Sequence, residues 1–165
     1  MAAATAVPSH APPAGLVWDL TAEAIAAEAS ALIAAETAVL DAVAAAGANA
    51  ATITFESIIA PLMAVERDLE ARGSAVTFLK HVSTDAGVRA AASAAQTELS
   101  AAKVKAGMRA DVYGAVRAYA EEVNPALTGL DGEAARFVTR TMRDYRRRGM
   151  HLPEATRSRI EAIQT

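Results

Sequence analysis

The chain has 165 residues, a formal net charge of -3 and no cysteine. That is the size of one domain able to bury a core without staples, and it excludes disulfides and thiolate metal sites. The acidic balance argues against a polyanionic partner such as nucleic acid. Of the 53% apolar residues, 44 are alanine, which favours helix and buries little area, so the core must come from a modest set of Leu, Ile, Val, Met and aromatic positions.

The opening "MAAATAVPSHAPPAG" lacks the early positive charge of a secretory signal and the arginines of a mitochondrial presequence. Pro8, Pro12 and Pro13 forbid a continuous helix, so residues 1–16 are expected to form a disordered Ala/Pro tail. No uninterrupted apolar run reaches the roughly 18 residues needed to span a bilayer. The expected setting is the cytoplasm, with no membrane partner.

From residue 17 onward the pattern is helical. Thr21 is a candidate N-cap, with Glu23 in the first turn, and Ile25, Leu32, Ile33, Val39, Leu40 and Val43 recur at helical spacing up to the Gly47/Asn49 breakers. Thr54 is the next cap, and Pro61 is expected to bend the helix that follows. Gly73 reads as its end and "SAVTFLKHVSTD" as a connecting piece. After a cap at Ser83 or Thr84, a three-four stripe runs from Val88 to Val123, broken only at Arg109. As one helix of about 40 residues it would be about 60 Å long, so it must kink near Gly107 or Gly114 or project beyond its domain.

Asn124 and Pro125 end that stripe. A further helix starts at Asp131, with Ala134, Val138, Met142 and Tyr145 on one face, Arg136, Arg140, Arg143 and Arg147 on another, and Gly149 as a left-handed terminator. Pro153 opens the last helix, which reaches Thr165 without a stop signal, so the pattern is expected to continue beyond it. The fold class is therefore all-α: an antiparallel, bundle-like domain of about five helices with one long central helix.

Little in the chain is chemically loaded. The histidines are His10, His81 and His151, none at metal-motif spacing from another, and no H-E-x-x-H, phosphate loop or G-x-S-x-G turn occurs. Glu66 and Glu70 share a helix face but interleave with Arg67, Asp68 and Arg72 as a solvated ion-pair surface. The exception is "TMRDYRRRGMHLPE". Its arginines offset the carbonyl end of a helix, and Asp144 is placed to pair with Arg140 or Arg148. Arginine is also favoured where bidentate pairing holds a partner, which makes Arg143, Arg146, Arg147 and His151 the candidate inter-domain or partner surface.

Four stretches in series resemble the N-terminal region of the thimet oligopeptidase, neurolysin and saccharolysin family of zinc metallopeptidases. They are "WDLTAEAIAAEASALIAAETAVLDAVAA", "TFESIIAPLMAVERDLE", "FLKHVSTDAGVRAAASAAQTELSAAKVKAGMRADVYGAV" and "EAARFVTRTMRDYRRRGMHLPEATRSRI". The most specific parts are "HVSTDAGVRAAA", "MRADVY" and "RDYRRRGMHLP". The resemblance implies a helical domain, residues 17–165, forming one wall of a deep channel in which the complete enzyme cleaves short peptides. It also implies a zinc site, H-E-x-x-H plus a further Glu, far downstream of the matched region. None of the matched residues is catalytic or a zinc ligand in that family, so the chain alone is expected to be inactive and to have the missing catalytic domain as its partner. The competing expectation is a stand-alone helical interaction module without catalytic activity.

Overall fold

A computed structural model describes residues 19–164, so the expected tail, with His10, lies outside the described residues. Six α-helices account for most of the rest: α1 (Ala22–Gly47), α2 (Ala60–Val82), α3 (Ala86–Gly107), α4 (Ala110–Ala118), α5 (Gly132–Arg147) and α6 (Glu154–Gln164). There is no strand among the described residues, and the all-α expectation holds.

The helix starts follow the capping chemistry of the sequence. The Thr21 side chain accepts from the Ala24 N–H at 3.2 Å and the Asp131 carboxylate from the Ala134 N–H at 2.7 Å. Thr54 and Ser57 bond reciprocally, each side-chain oxygen accepting from the other's backbone N–H, at 3.1 and 3.0 Å. They open a π-helical turn, Phe55–Ile59, that runs directly into α2. Pro61 therefore falls in the first turn of α2, where the wider π turn just before it accommodates the ring.

Three expectations are corrected. Gly73 does not end α2, which continues to Val82 because Ala75, Val76 and Leu79 are buried and hold the segment against its neighbours. The cap of α3 is Asp85, accepting from the Val88 N–H at 2.9 Å, while Ser83 closes α2. The long stripe, expected to kink near Gly107 or Gly114 or to project, breaks fully just after Gly107 into two helices, so the count is six rather than about five. The break falls at Met108 and Arg109, the latter in extended conformation at the start of α4.

Two apolar clusters fix the directions of the helices. One joins Ile25 and Ala29 of α1 to Val76 and Leu79 of α2 and Ala92 and Ala95 of α3. The other joins Leu40 and Val43 of α1 to Ile58, Ile59 and Leu62, and to Val112 and Val116 of α4. Along α1 the packing partners climb α3 and then α4 but descend α2. Hence α2 runs antiparallel to α1, and α3 and α4 together run alongside α1 in its own direction. The α5 face of Val138, Met142 and Tyr145 closes the second cluster, with the Tyr113 and Tyr145 rings 5.3 Å apart.

By length and composition α1 is also apolar enough to cross a membrane, with 22% of its most apolar window buried. Most of what it exposes is alanine, and Glu28, Glu36 and Asp41 interrupt it.

Candidate functional site

The arginine-rich end of α5 lies against the segment that leaves α4, a π-helical turn at Tyr119–Val123 followed by the Pro125–Gly129 link. Between them is a crevice of about 650 Å³ whose floor is apolar, with Ala120, Leu127, Val138 and Met142. Arg143, Arg146 and Arg147 stand on its rim. Arg146 Nη2 donates to Glu121 Oε1 at 3.0 Å, tying α5 to the π turn, and Arg143 Nε donates to Asp144 Oδ1 at 3.0 Å.

Arg147 is exposed and makes no hydrogen bond or salt bridge among the described residues. The Asp144 carboxyl is held below its ordinary range by the hydrogen bond from Arg143 first, with smaller contributions from the charges of Arg147 and Arg148. The Asp144 partner is thus its neighbour Arg143; Arg140 reaches instead across to Glu66 of α2.

The structure brings three of the four expected residues together. His151 lies beyond the turn made by Gly149, is exposed, and lines neither this crevice nor the one between α2 and α3. His81 is in the last turn of α2, beside Phe78, near the first apolar cluster, whereas His151 follows α5 near the second. Among the described residues no three His, Cys, Asp or Glu side chains gather where they could hold a metal ion. The donors present therefore do not fit a catalytic zinc, which needs three protein ligands converging on one point.

That second crevice, of about 540 Å³, is lined by residues of α1, α2, α3 and α5. Sequence reasoning does not find it, because Glu36, Lys103, Tyr145 and Arg148 come to it from separate parts of the chain. The carboxyl of Glu36 is half-buried and raised above the usual range, chiefly by desolvation, with the charge of Lys103 opposing. The Tyr145 phenol is pushed up to about 12, again chiefly by burial. One local signal exists: Gly107, whose missing side chain leaves room for the Arg148 guanidinium, a Cβ there falling 1.9 Å from Arg148 Nη1.

No family model matches the chain. Among curated proteins, however, a thimet-like oligopeptidase of Dictyostelium discoideum is 31% identical over 93 residues, 56% of this chain and 14% of that protein. The chain is similar to part of an oligopeptidase. Saccharolysin of Saccharomyces cerevisiae adds a second likeness, 24% identical over 111 residues, or 67% of this chain and 16% of that protein. The chain thus spans about a sixth or less of each of these relatives.

Proposed function

We propose that this chain is the N-terminal helical domain of a thimet-oligopeptidase-like zinc endopeptidase of the cytoplasm, forming one wall of the channel in which the complete enzyme cleaves short peptides. The observation that carries the reading is the 31% identity to the Dictyostelium protein over 93 residues. The four resembling stretches support it, since they fall in order on α1, on the π turn with α2, on the end of α2 with α3 and α4, and on α5 with α6. Zinc and its ligands would belong to polypeptide beyond this chain, since the resembled family carries its H-E-x-x-H site far downstream of the matched stretches.

In this reading the rim of Arg143, Arg146 and Arg147 over its apolar floor is where the rest of the enzyme docks. Guanidinium groups pair bidentately with carboxylates, and the apolar floor takes an anchoring side chain. His151, exposed past Gly149, would lie at the margin of that interface.

The test is an antibody raised against the chain and applied to extract of the source organism. It should detect a polypeptide several times longer, and immunoprecipitation should recover peptide hydrolysis that a zinc chelator abolishes. Detection only of a species the size of this chain, with no peptidase recovered, would overturn the proposal and favour a stand-alone interaction module. The isolated chain supplied with zinc and a quenched fluorogenic peptide is expected to show no turnover.

A further inference from the structure

The crevice between α2 and α3 plays no part in the docking just proposed. Its 540 Å³ is in the range of sites that enclose small organic ligands. Leu62, Val65 and Leu69 of α2 and Leu99 of α3 give it an apolar lining. At the α5 side stand Lys103 and Arg148, together with Tyr145.

Neither the Lys103 nor the Arg148 side chain makes a hydrogen bond or salt bridge among the described residues. For Arg148 this matters most, because its guanidinium is half-buried against Gly107 at the carbonyl end of α3. The partial charge of those carbonyls favours a cation there, but the guanidinium N–H donors have no protein acceptor among the described residues. The other arginine that lines the crevice, Arg140, is engaged with Glu66. Arg148 is the exception.

We infer that this crevice binds a small organic carboxylate with an apolar body. The carboxylate pairs with Arg148 and Lys103, and the body lies along Leu62, Val65, Leu69 and Leu99. One negative charge suits the site better than two, because the ionised Glu36 carboxylate already draws on the charge of Lys103. The Glu36 carboxyl keeps its proton to higher pH than usual and can then donate to the bound carboxylate instead of repelling it. Glu36 feels the charge of Lys103 of α3 and bears on Tyr145 of α5, and Arg148, Glu66 and Glu70 of α2 and Arg140 and Asp144 of α5 complete the charged lining. Of these acids Glu70 is exposed, and Glu66 and Asp144 are paired. Binding therefore strengthens as pH falls toward the range where Glu36 is protonated.

The probe is dansylamino-undecanoate, whose fluorescence rises on leaving water, displaced from the full chain by decanoate or by decanol. Decanoate is expected to bind at least about tenfold more tightly than decanol, the scale of one charge-assisted pair. Arg148→Gln and Lys103→Gln should each remove most of that preference, and Glu36→Gln should keep binding but flatten its pH dependence. Lys103 is exposed, so K103Q leaves the fold intact and decides the matter if R148Q does not fold. Equal displacement by decanoate and decanol, a preference unchanged in folded K103Q, or no binding below about 1 mM each overturns the inference.

Discussion

Gly47 at the end of α1 faces Ala115 of α4 so closely that a Cβ added to Gly47 would lie 2.3 Å from the Ala115 Cβ and 3.0 Å from its Cα. The glycine therefore sets how near α4 comes to α1, and with it the seat of Val112 and Val116 in the second cluster. Since α5 packs on the same cluster through Val138 and Tyr145, the arginine rim depends on this approach at one remove.

Gly47→Ala is expected to destabilise the chain by about 1–3 kcal/mol, the usual cost of overpacking, despite the better helix propensity of alanine. Thermal unfolding should show it as a fall of roughly 2–4 °C per kcal/mol for a chain of this length. Adding Ala115→Gly should recover part of the loss, because the clash between the two methyl groups goes while the crowding against the backbone at position 115 stays. A double-mutant cycle with no coupling between the two sites would contradict this packing.

Gly149 is a different case, since backbone and packing both require it. Its φ is +79°, and an added Cβ would meet Ile160 Cδ1 at 2.6 Å and Leu152 Cδ1 at 3.2 Å. Gly149→Ala should cost about 1–3 kcal/mol from left-handed strain and overpacking together. The loss should localise: amide exchange in α6 should accelerate more than in α1. Uniform acceleration across both helices would show that α6 is not held through this turn.

Arg109 ties the break between α3 and α4 to α1. Its Nη1 donates to Asp41 Oδ1 at 2.5 Å, and its Nε and Nη2 donate to both oxygens of Asp111, at 3.0 and 2.7 Å. The hydrogen bond from Arg109 is the main reason the Asp111 carboxyl is depressed. A depressed carboxyl contributes stability that is present above its unfolded pKa and is lost as pH falls through the folded one. Arg109→Gln should therefore cost about 1 kcal/mol at neutral pH, allowing for solvent screening of these partly exposed pairs. The deficit should shrink in acid, below the ordinary aspartate range. A deficit that stays constant down to acid would assign the loss to packing instead.

Local chemistry made the helix ends at Thr21, Thr54, Asp131 and Gly149 legible from the sequence, because a cap or a left-handed terminator involves residues within one turn. Gly73 misled because its helix cost, about 1 kcal/mol, is outweighed by the burial of Val76 and Leu79, which only the third dimension supplies. Arg109 carried a true signal: the one residue that broke the stripe is the one at which the helix breaks. For the candidate site, the arginines could be read as a cluster on one helix, but not the floor beneath them, which includes Leu127 from beyond the π turn. The convergence of Glu36 with Lys103 and Arg148 leaves no trace in any local pattern beyond Gly107, because the three come from α1, α3 and the end of α5.

Glu36 gives the last prediction, with the opposite sign from Asp111. Burial raises its carboxyl, and the positive charge of Lys103 only partly offsets this, so the folded chain holds the proton more tightly than the unfolded one. Between the unfolded pKa and the raised folded value the native state binds more protons, and stability falls as pH rises through that window. At neutral pH the ionised group is a net destabilising burden on the fold. Glu36→Gln removes the charge while keeping the shape, so the variant should melt above the parent at pH 7, and the two should converge as pH drops below the ordinary glutamate range. Paired thermal melts across that interval decide it: a variant that melts lower than the parent at pH 7 would mean that the attraction of Lys103 outweighs the cost of desolvating the carboxylate.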